Sequence, residues 1–210
     1  MRRTPLSIAF VIRDPLPPIR ADVLTLFGAE MPHYGIGTDL VGQVGGEAAA
    51  GGWSAGAVHP VGSLKHRLAS VLSPFWDALG LARAWRRAPL DCIQVRDKIA
   101  SGIVGRAAAA LLGLPFVYWM SFPIVEGFDV RRDELGRRKR GLLWLAHAAR
   151  AALSRFVIYR LVLPGARHIF VQSDAMADWL AAKGFDPARM TVVPMGVAGE
   201  LFRRAAVPPS

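Results

Sequence analysis

The sequence predicts an α/β protein built on a doubly wound, mostly parallel sheet. Three observations carry that prediction. Short apolar runs of four to seven residues, rich in Val, Ile and Phe, recur along the chain. Stretches with helical periodicity separate them. The runs are continuous rather than alternating with polar residues, as strands buried on both faces are. Such strands need helices above and below them, and that requirement defines the doubly wound arrangement. At 210 residues the chain is sized for one domain, and 52% hydrophobic content with a mean hydropathy of +0.30 excludes a disordered one.

The first strand is expected over 7–12. Its apolar run follows Arg2 and Arg3 but stops at Arg13 without reaching a small-residue cleavage site, so it reads as a buried strand rather than a signal segment. A helix over 21–33 leads through a turn at Gly35, Ile36 and Gly37 to a strand over 39–44. The glycine- and alanine-rich stretch 45–56 reads as a loop, with order resuming over 57–61. A helix over 65–88 must kink or restart at Pro74, which lacks the amide proton a helix interior uses. Strand 91–96, helix 99–112 and strand 115–120 follow. Helix 141–163, strand 168–172, helix 175–183 and strand 190–193 complete the alternation.

In such sheets ligands sit beyond the carboxyl ends of the strands. The residues there are Arg13 and Asp14, then Arg96, Asp97 and Lys98, then Ser121 and Phe122, then Ser173 and Asp174, then Met195 and Gly196. The turn after the first strand, 14–20, holds no glycine, which argues against a nicotinamide or flavin fingerprint. Phosphate-loop, nucleophile-elbow and zinc-protease motifs are missing from the sequence. The single cysteine, Cys92, cannot form a disulfide within the chain and reads as a buried, inert thiol of a cytoplasmic protein. The five histidines lack metal-ligand spacing, so no metal is expected.

A formal charge of +10 calls for an anionic partner, and nucleic acid, a membrane surface and phosphorylated substrates all qualify. The position of the charge narrows the choice. Of the ten residues 131–140, six are basic and two acidic. The helix that follows gathers Leu142, Leu145, Ala146, Ala149, Ala152, Leu153 and Phe156 on one face, with His147, Arg150, Ser154 and Arg155 on the other. Spanning a membrane would cost about 2.5–3.5 kcal/mol for each buried arginine. Two readings stand. The helix lies on anionic lipid at the inner face of the plasma membrane, touching it through Arg137, Arg138, Lys139, Arg140 and Trp144, or it covers the sheet with its polar face in water. The cations are mixed with Leu and Ala rather than interleaved with aromatic residues, so nucleic acid is not an expected partner.

Towards the end, His168-Ile169-Phe170-Val171-Gln172-Ser173, a helix to Lys183-Gly184-Phe185, and Val193-Pro194-Met195-Gly196-Val197 resemble the close of the N-terminal domain in family 4 glycosyltransferases of GT-B fold. The segments 91–97 and 115–123 are similar to the same family, so the resemblance spans nearly the whole chain. It implies retaining transfer of a sugar from a nucleotide donor by two Rossmann-like domains closing over a cleft. Residues 1–200 would be the acceptor-side domain and 201–210 the start of a linker to a C-terminal domain that binds the donor. Two departures stand out. Pro17 and Pro18 occupy the loop where many members carry paired glycines, and Ser121 stands where many carry a histidine.

Retaining transfer requires the departing diphosphate to be neutralised and the acceptor hydroxyl to be held at the anomeric carbon. Asp97 and Ser121 are the candidate catalytic residues. Arg13, Asp14, Arg96, Lys98, Glu126, Ser173 and Gly196 are the candidate substrate contacts, each open to the alternative of an ordinary ion pair or cap. The expected function is therefore the acceptor-binding half of a glycosyltransferase acting on a lipid-linked or polysaccharide acceptor, without a cofactor. The alternative is a non-catalytic subunit that docks a separate donor-binding chain.

Overall fold

The computed structural model describes residues 6–45, 53–65, 69–138, 141–194 and 196. The first apolar run forms β1 (Leu6–Val11). A π-helical stretch, Asp22–Glu30, passes into a single α-turn, α1 (Met31–His33), and then into β2 (Ile36–Val44). After β3 (Val58–Ser63) come α2 (Ala69–Arg87), β4 (Cys92–Arg96), α3 (Ile99–Leu112) and β5 (Phe116–Met120). A helical hairpin follows, α4 (Ile124–Arg138) and α5 (Leu142–Phe156). A π-helical stretch, Val157–Val162, and a 3₁₀ turn, Leu163–Gly165, carry the chain to β6 (His168–Val171), α6 (Asp174–Ala181) and β7 (Met190–Val192).

The seven strands form one sheet in the order β3-β2-β1-β4-β5-β6-β7, and every pair is parallel. The chain winds from β1 through β2 to β3, then returns to the other side of β1 to begin β4. The crevice between β1 and β4 is thus the point where strand order reverses, and ligands bind beyond the carboxyl ends of strands at such a point. Side chains of successive strand residues point to opposite faces. Ala9 and Val11 of β1 accordingly join Val41, Ile93, Val95 and Tyr118 in the larger core under α2 and α3. Phe10 joins Leu40, Val23, Phe27 and Trp119 on the opposite face, beneath the first π-helical stretch.

Close approach of α3 to the sheet and to the second π-helical stretch depends on two glycines. A Cβ on Gly105 would stand 2.5 Å from the Val95 side chain, and one on Gly102 would stand 2.9 Å from that of Val162. Large residues at either position would push α3 outward.

Several elements differ from expectation. β2 begins at Ile36, so Gly37 lies within the strand and Gly35, at φ +76°, makes the turn. α2 runs on through Pro74 rather than restarting there. Of the loop 45–56, residues 46–52 lie outside the described residues. Trp53 sits against Gly28, and its indole N–H donates to the Thr38 carbonyl at 2.8 Å. α4 was not anticipated, because its sequence is rich in charge and lacks a broad apolar stripe. The expected helix over 141–163 divides into α5, a π-helical turn and a 3₁₀ turn. Cys92 is half-buried, and burial pushes its thiol up to about 11, which suppresses the reactive thiolate. The expected linker, 201–210, lies outside the described residues.

The expectation that α5 covers the sheet with its apolar face is overturned. All seven residues of that face are exposed, and α5 docks instead through Ala151 and Ser154, with Ala148 and His147 half-buried beside them. Small side chains let the helix approach its neighbours, whereas the leucines on the other side are too large for that contact. No helix of the described residues is long and apolar enough to cross a membrane.

Candidate functional site

Two turns meet at the crevice. β4 ends in Arg96, and the next residue, Asp97, adopts a left-handed backbone at φ +50°, an uncommon conformation for a residue with a side chain. The surroundings fix it there. The Asp97 amide donates to the Trp119 carbonyl at 3.1 Å, Asp97 Oδ1 accepts from the Ser121 amide at 2.8 Å, and Oδ2 accepts from Ser121 Oγ. The two residues singled out as catalytic are therefore bonded to each other. Burial raises the Asp97 pKa, partly offset by the hydrogen bonds from Ser121 and the charges of Arg96 and Arg13.

Arg96 faces inward. Its side chain is 1% exposed, its guanidinium lies 4.5 Å over the Trp119 ring, and Nη2 donates to Asp22 Oδ2 at 2.5 Å. Asp97 Oδ2 stands 3.5 Å from Nε. Asp22 opens the first π-helical stretch and is also 3.3 Å from Arg20. Burial alone would raise the Asp22 pKa, but the hydrogen bond and charge of Arg96, with Arg20, hold it below the ordinary carboxylate value. The first helix thus begins on the chain's own carboxylate, paired with Arg96 and Arg20.

Lys98 is also engaged. Its ammonium lies 2.6 Å from Asp77 Oδ2 and donates to Gln43 Oε1 at 2.9 Å. Asp77, fully buried, further accepts from Gln43 Nε2 at 2.7 Å and Ser101 Oγ at 2.5 Å. Burial lowers the Lys98 pKa while Asp77 opposes the shift. Arg96 and Lys98 have therefore taken the ion-pair alternative, and Arg13 is different. Arg13 is exposed and its guanidinium lies 5.0 Å over the Phe122 ring. Asp14 is 3.8 Å from Arg20.

Two clefts open on either side of the Asp97–Ser121 pair. The first, about 850 Å³, has Arg13, Asp97, Lys98 and Arg150 among its polar lining, and Ile99, Ile103, Ile124, Phe128, Leu153 and Val157 as apolar wall. The second, about 630 Å³, is lined by Ser121, Phe122, Glu126, Ser173, Trp179 and Pro194, among others. Glu126 accepts from the Tyr159 hydroxyl at 3.2 Å, and that contact and burial together raise the Tyr159 pKa, burial being the larger cause. Ser173 caps α6 by accepting from the Met176 amide at 3.3 Å. Gly196 is exposed with open space around it.

Of the basic segment, Arg137 and Arg138 end α4, while Lys139 and Arg140 lie outside the described residues. The Trp144 indole packs against Gly136, between α4 and α5, where a Cβ would stand 2.9 Å from its nitrogen. It is half-buried within the hairpin rather than turned outward. Asp22, Gln43, Asp77 and Ser101 were missed. Asp22, Gln43 and Asp77 reach the site from distant positions on other elements, Ser101 stands in the first turn of α3, and nothing in their local sequence marks any of them.

A parallel doubly wound sheet with polar and charged side chains gathered at the carboxyl edge of its switch point defines a Rossmann-like ligand-binding domain. The chain belongs to the glycosyl transferase 4-like domain family, whose model matches residues 21–196. Its fold is that of GT-B glycosyltransferases. It is similar to the glycotransferase of kitacinnamycin (16% identity, TM-score 0.55, covering 98% of this chain and 55% of that one). It is also similar to a calicheamicin glycosyltransferase (15%, 0.55, 94% and 54%) and to the apo form of the lipopolysaccharide outer core galactosyltransferase WaaB (14%, 0.54, 91% and 46%). This chain therefore spans about half the length of those structures. No curated protein matches its sequence.

Proposed function

We propose that this chain is the acceptor-side domain of a retaining glycosyltransferase that takes its donor, a nucleotide sugar, from a second domain or a partner chain. The Asp97–Ser121 pair at the switch point, standing between two clefts, carries this reading. Ser121 occupies only part of the acceptor capacity of Asp97, so the carboxylate can take a hydrogen bond from an acceptor hydroxyl in the first cleft. The hydroxyl oxygen bonds to the anomeric carbon as the carbon–oxygen bond to the diphosphate breaks. The hydroxyl proton, drawn along by Asp97, ends on the departing phosphate oxygen. Arg13, the cation of the edge that remains exposed, neutralises the charge developing on that diphosphate. The scheme calls for no metal.

The first cleft is polar at the Asp97 end and apolar along its wall, which suits an acceptor with a polar head and a hydrocarbon tail. WaaB, named for the outer core of lipopolysaccharide, is a neighbour compatible with that class. Calorimetry with a panel of nucleotide sugars tests the division of labour. The isolated chain is expected to stay silent, and the chain joined to its donor domain is expected to bind, with turnover indifferent to EDTA. Donor binding and turnover by the isolated chain would overturn the acceptor-side assignment, and loss of turnover in EDTA would overturn the metal-free scheme.

A further inference from the structure

The α4–α5 hairpin presents an unusual outer surface. The principal neighbours of α5 are α4 and the π-helical turn that continues it, and only Ala151 and Ser154 within it are fully buried. Its outward face is an unbroken apolar arc. Leu142, Leu145, Leu153 and Phe156 are 84%, 57%, 64% and 55% exposed, and three exposed alanines fill the spaces between them. At about 100° per residue the arc spans about 120° of the helix. Arg150 and Arg155 flank it on its two sides. Leu143, 63% exposed, lies beyond Arg150, and a folded domain that leaves five large apolar side chains of one helix in water, four of them on one arc, presents them to a partner.

Charge identifies that partner. Residues 124–165 carry nine Arg and Lys against four Asp and Glu, a surplus equal to half of the whole chain's +10. Arg131, Arg150 and Arg160 are exposed, and none has a carboxylate partner among the described residues. Arg155 pairs with Asp129. A second copy of this chain would bring an identical basic rim against the first, and like charges across an interface are unfavourable. A bilayer containing anionic lipid meets both demands at once, with acyl chains for the arc and headgroup phosphates for the rim.

We propose that the outward face of α5 is a docking surface that lies on an anionic bilayer, with Leu142, Leu145, Leu153 and Phe156 at the acyl boundary and Arg150 at headgroup level. The contact lies flat, since no helix of the described residues can cross a membrane. Leu153 and Arg150 belong both to this surface and to the lining of the first cleft. Seating the arc on lipid therefore sets the mouth of that cleft at the headgroups, where the head of a lipid-linked acceptor would enter. That last consequence rests on the acceptor reading, whereas the docking itself does not.

Vesicle flotation of the purified chain tests docking without any activity readout. The parent chain is expected to float with phosphatidylcholine vesicles containing phosphatidylglycerol, and to float poorly with phosphatidylcholine alone. Combining Leu145→Gln, Leu153→Gln and Phe156→Gln should reduce partition by about tenfold or more, and Arg150→Gln by about fivefold at low salt. Circular dichroism should be unchanged, because these side chains are already exposed. Undiminished flotation of the triple variant would overturn the proposal, as would equal binding to neutral vesicles or none to either. A parent that does not float but sediments as a dimer, with the triple variant a monomer, would assign the face to a second copy.

Discussion

At the carboxyl edge of β4 and β5 the molecule buries charge, and on α5 it exposes leucine. Arg96, Asp97, Asp77 and Lys98 lie in the interior, each with an ionic partner, while Leu142, Leu145, Leu153 and Phe156 stand in water. Either arrangement forgoes stability that a conventional placement would supply. Buried ion pairs often contribute no more than well-packed apolar residues of the same volume, and an exposed leucine gives up the gain from burial. The two regions forgo that stability in different currencies of structure. The edge is over-determined, with Asp97 fixed by bonds from two turns, and α5 is under-determined, with one face left open to whatever meets it.

The largest effect that can break this contrast lies at Asp97. Asn tolerates the left-handed backbone, so Asp97→Asn should keep the fold and, on the proposed reading, lower kcat of the chain joined to a donor domain by about a thousandfold. Because burial raises the Asp97 pKa, the acid limb of the wild-type rate profile should lie above the ordinary carboxylate value of about 3.9 and vanish in the variant. Full activity in Asp97→Asn would leave the edge with a purely structural role. Next in size, Asp22→Asn removes the nearer of the two carboxylates that face the buried Arg96, leaving Asp97 alone beside it, and should destabilise the chain by about 3 kcal/mol in urea titrations. The folded-state pKa of Asp22 is depressed, so its contribution is complete above about pH 3.9 and is lost as pH falls toward the lower folded value. A stability difference between Asp22→Asn and the parent that persisted unchanged to pH 2 would refute that ion pair. The smallest effect belongs to α5. Leu145→Gln and Phe156→Gln should each shift stability by no more than about 0.5 kcal/mol, and a loss above about 2 kcal/mol would show that this face is packed in solution.

Much of the sheet was legible because strands buried on both faces leave continuous apolar runs that charged or glycine-rich segments interrupt. The switch-point rule then led to Asp97 and Ser121, since each directly follows a strand. What those residues touch was not legible. Asp22 meets Arg96 across 74 positions and Gln43 meets Asp77 across 34, separations at which no periodicity connects a pair. The seven apolar residues of α5 could be placed on one face from their spacing. Spacing assigns residues to a common face but not to the inside or the outside, and here small residues on the opposite side made the contact. α4 escaped notice because its sequence is mostly charge, and a partner helix rather than a broad apolar stripe supports it.

The π-helical stretch Val157–Val162 sets where α5 looks. Val157, Ile158 and Val162 are buried, with Val162 against Gly102 of α3, so this stretch is the anchor from which α5 extends. A π-turn pairs residues five apart and so takes up one residue more than an α-turn, and each residue is worth about 100° of rotation. Deleting a single residue here would restore α-geometry and rotate the faces of α5 by about 100° relative to that anchor, without changing one of its side chains. The face that α5 turns outward is thus held in two ways, by the small residues of its docked side and by the chain length of this one turn.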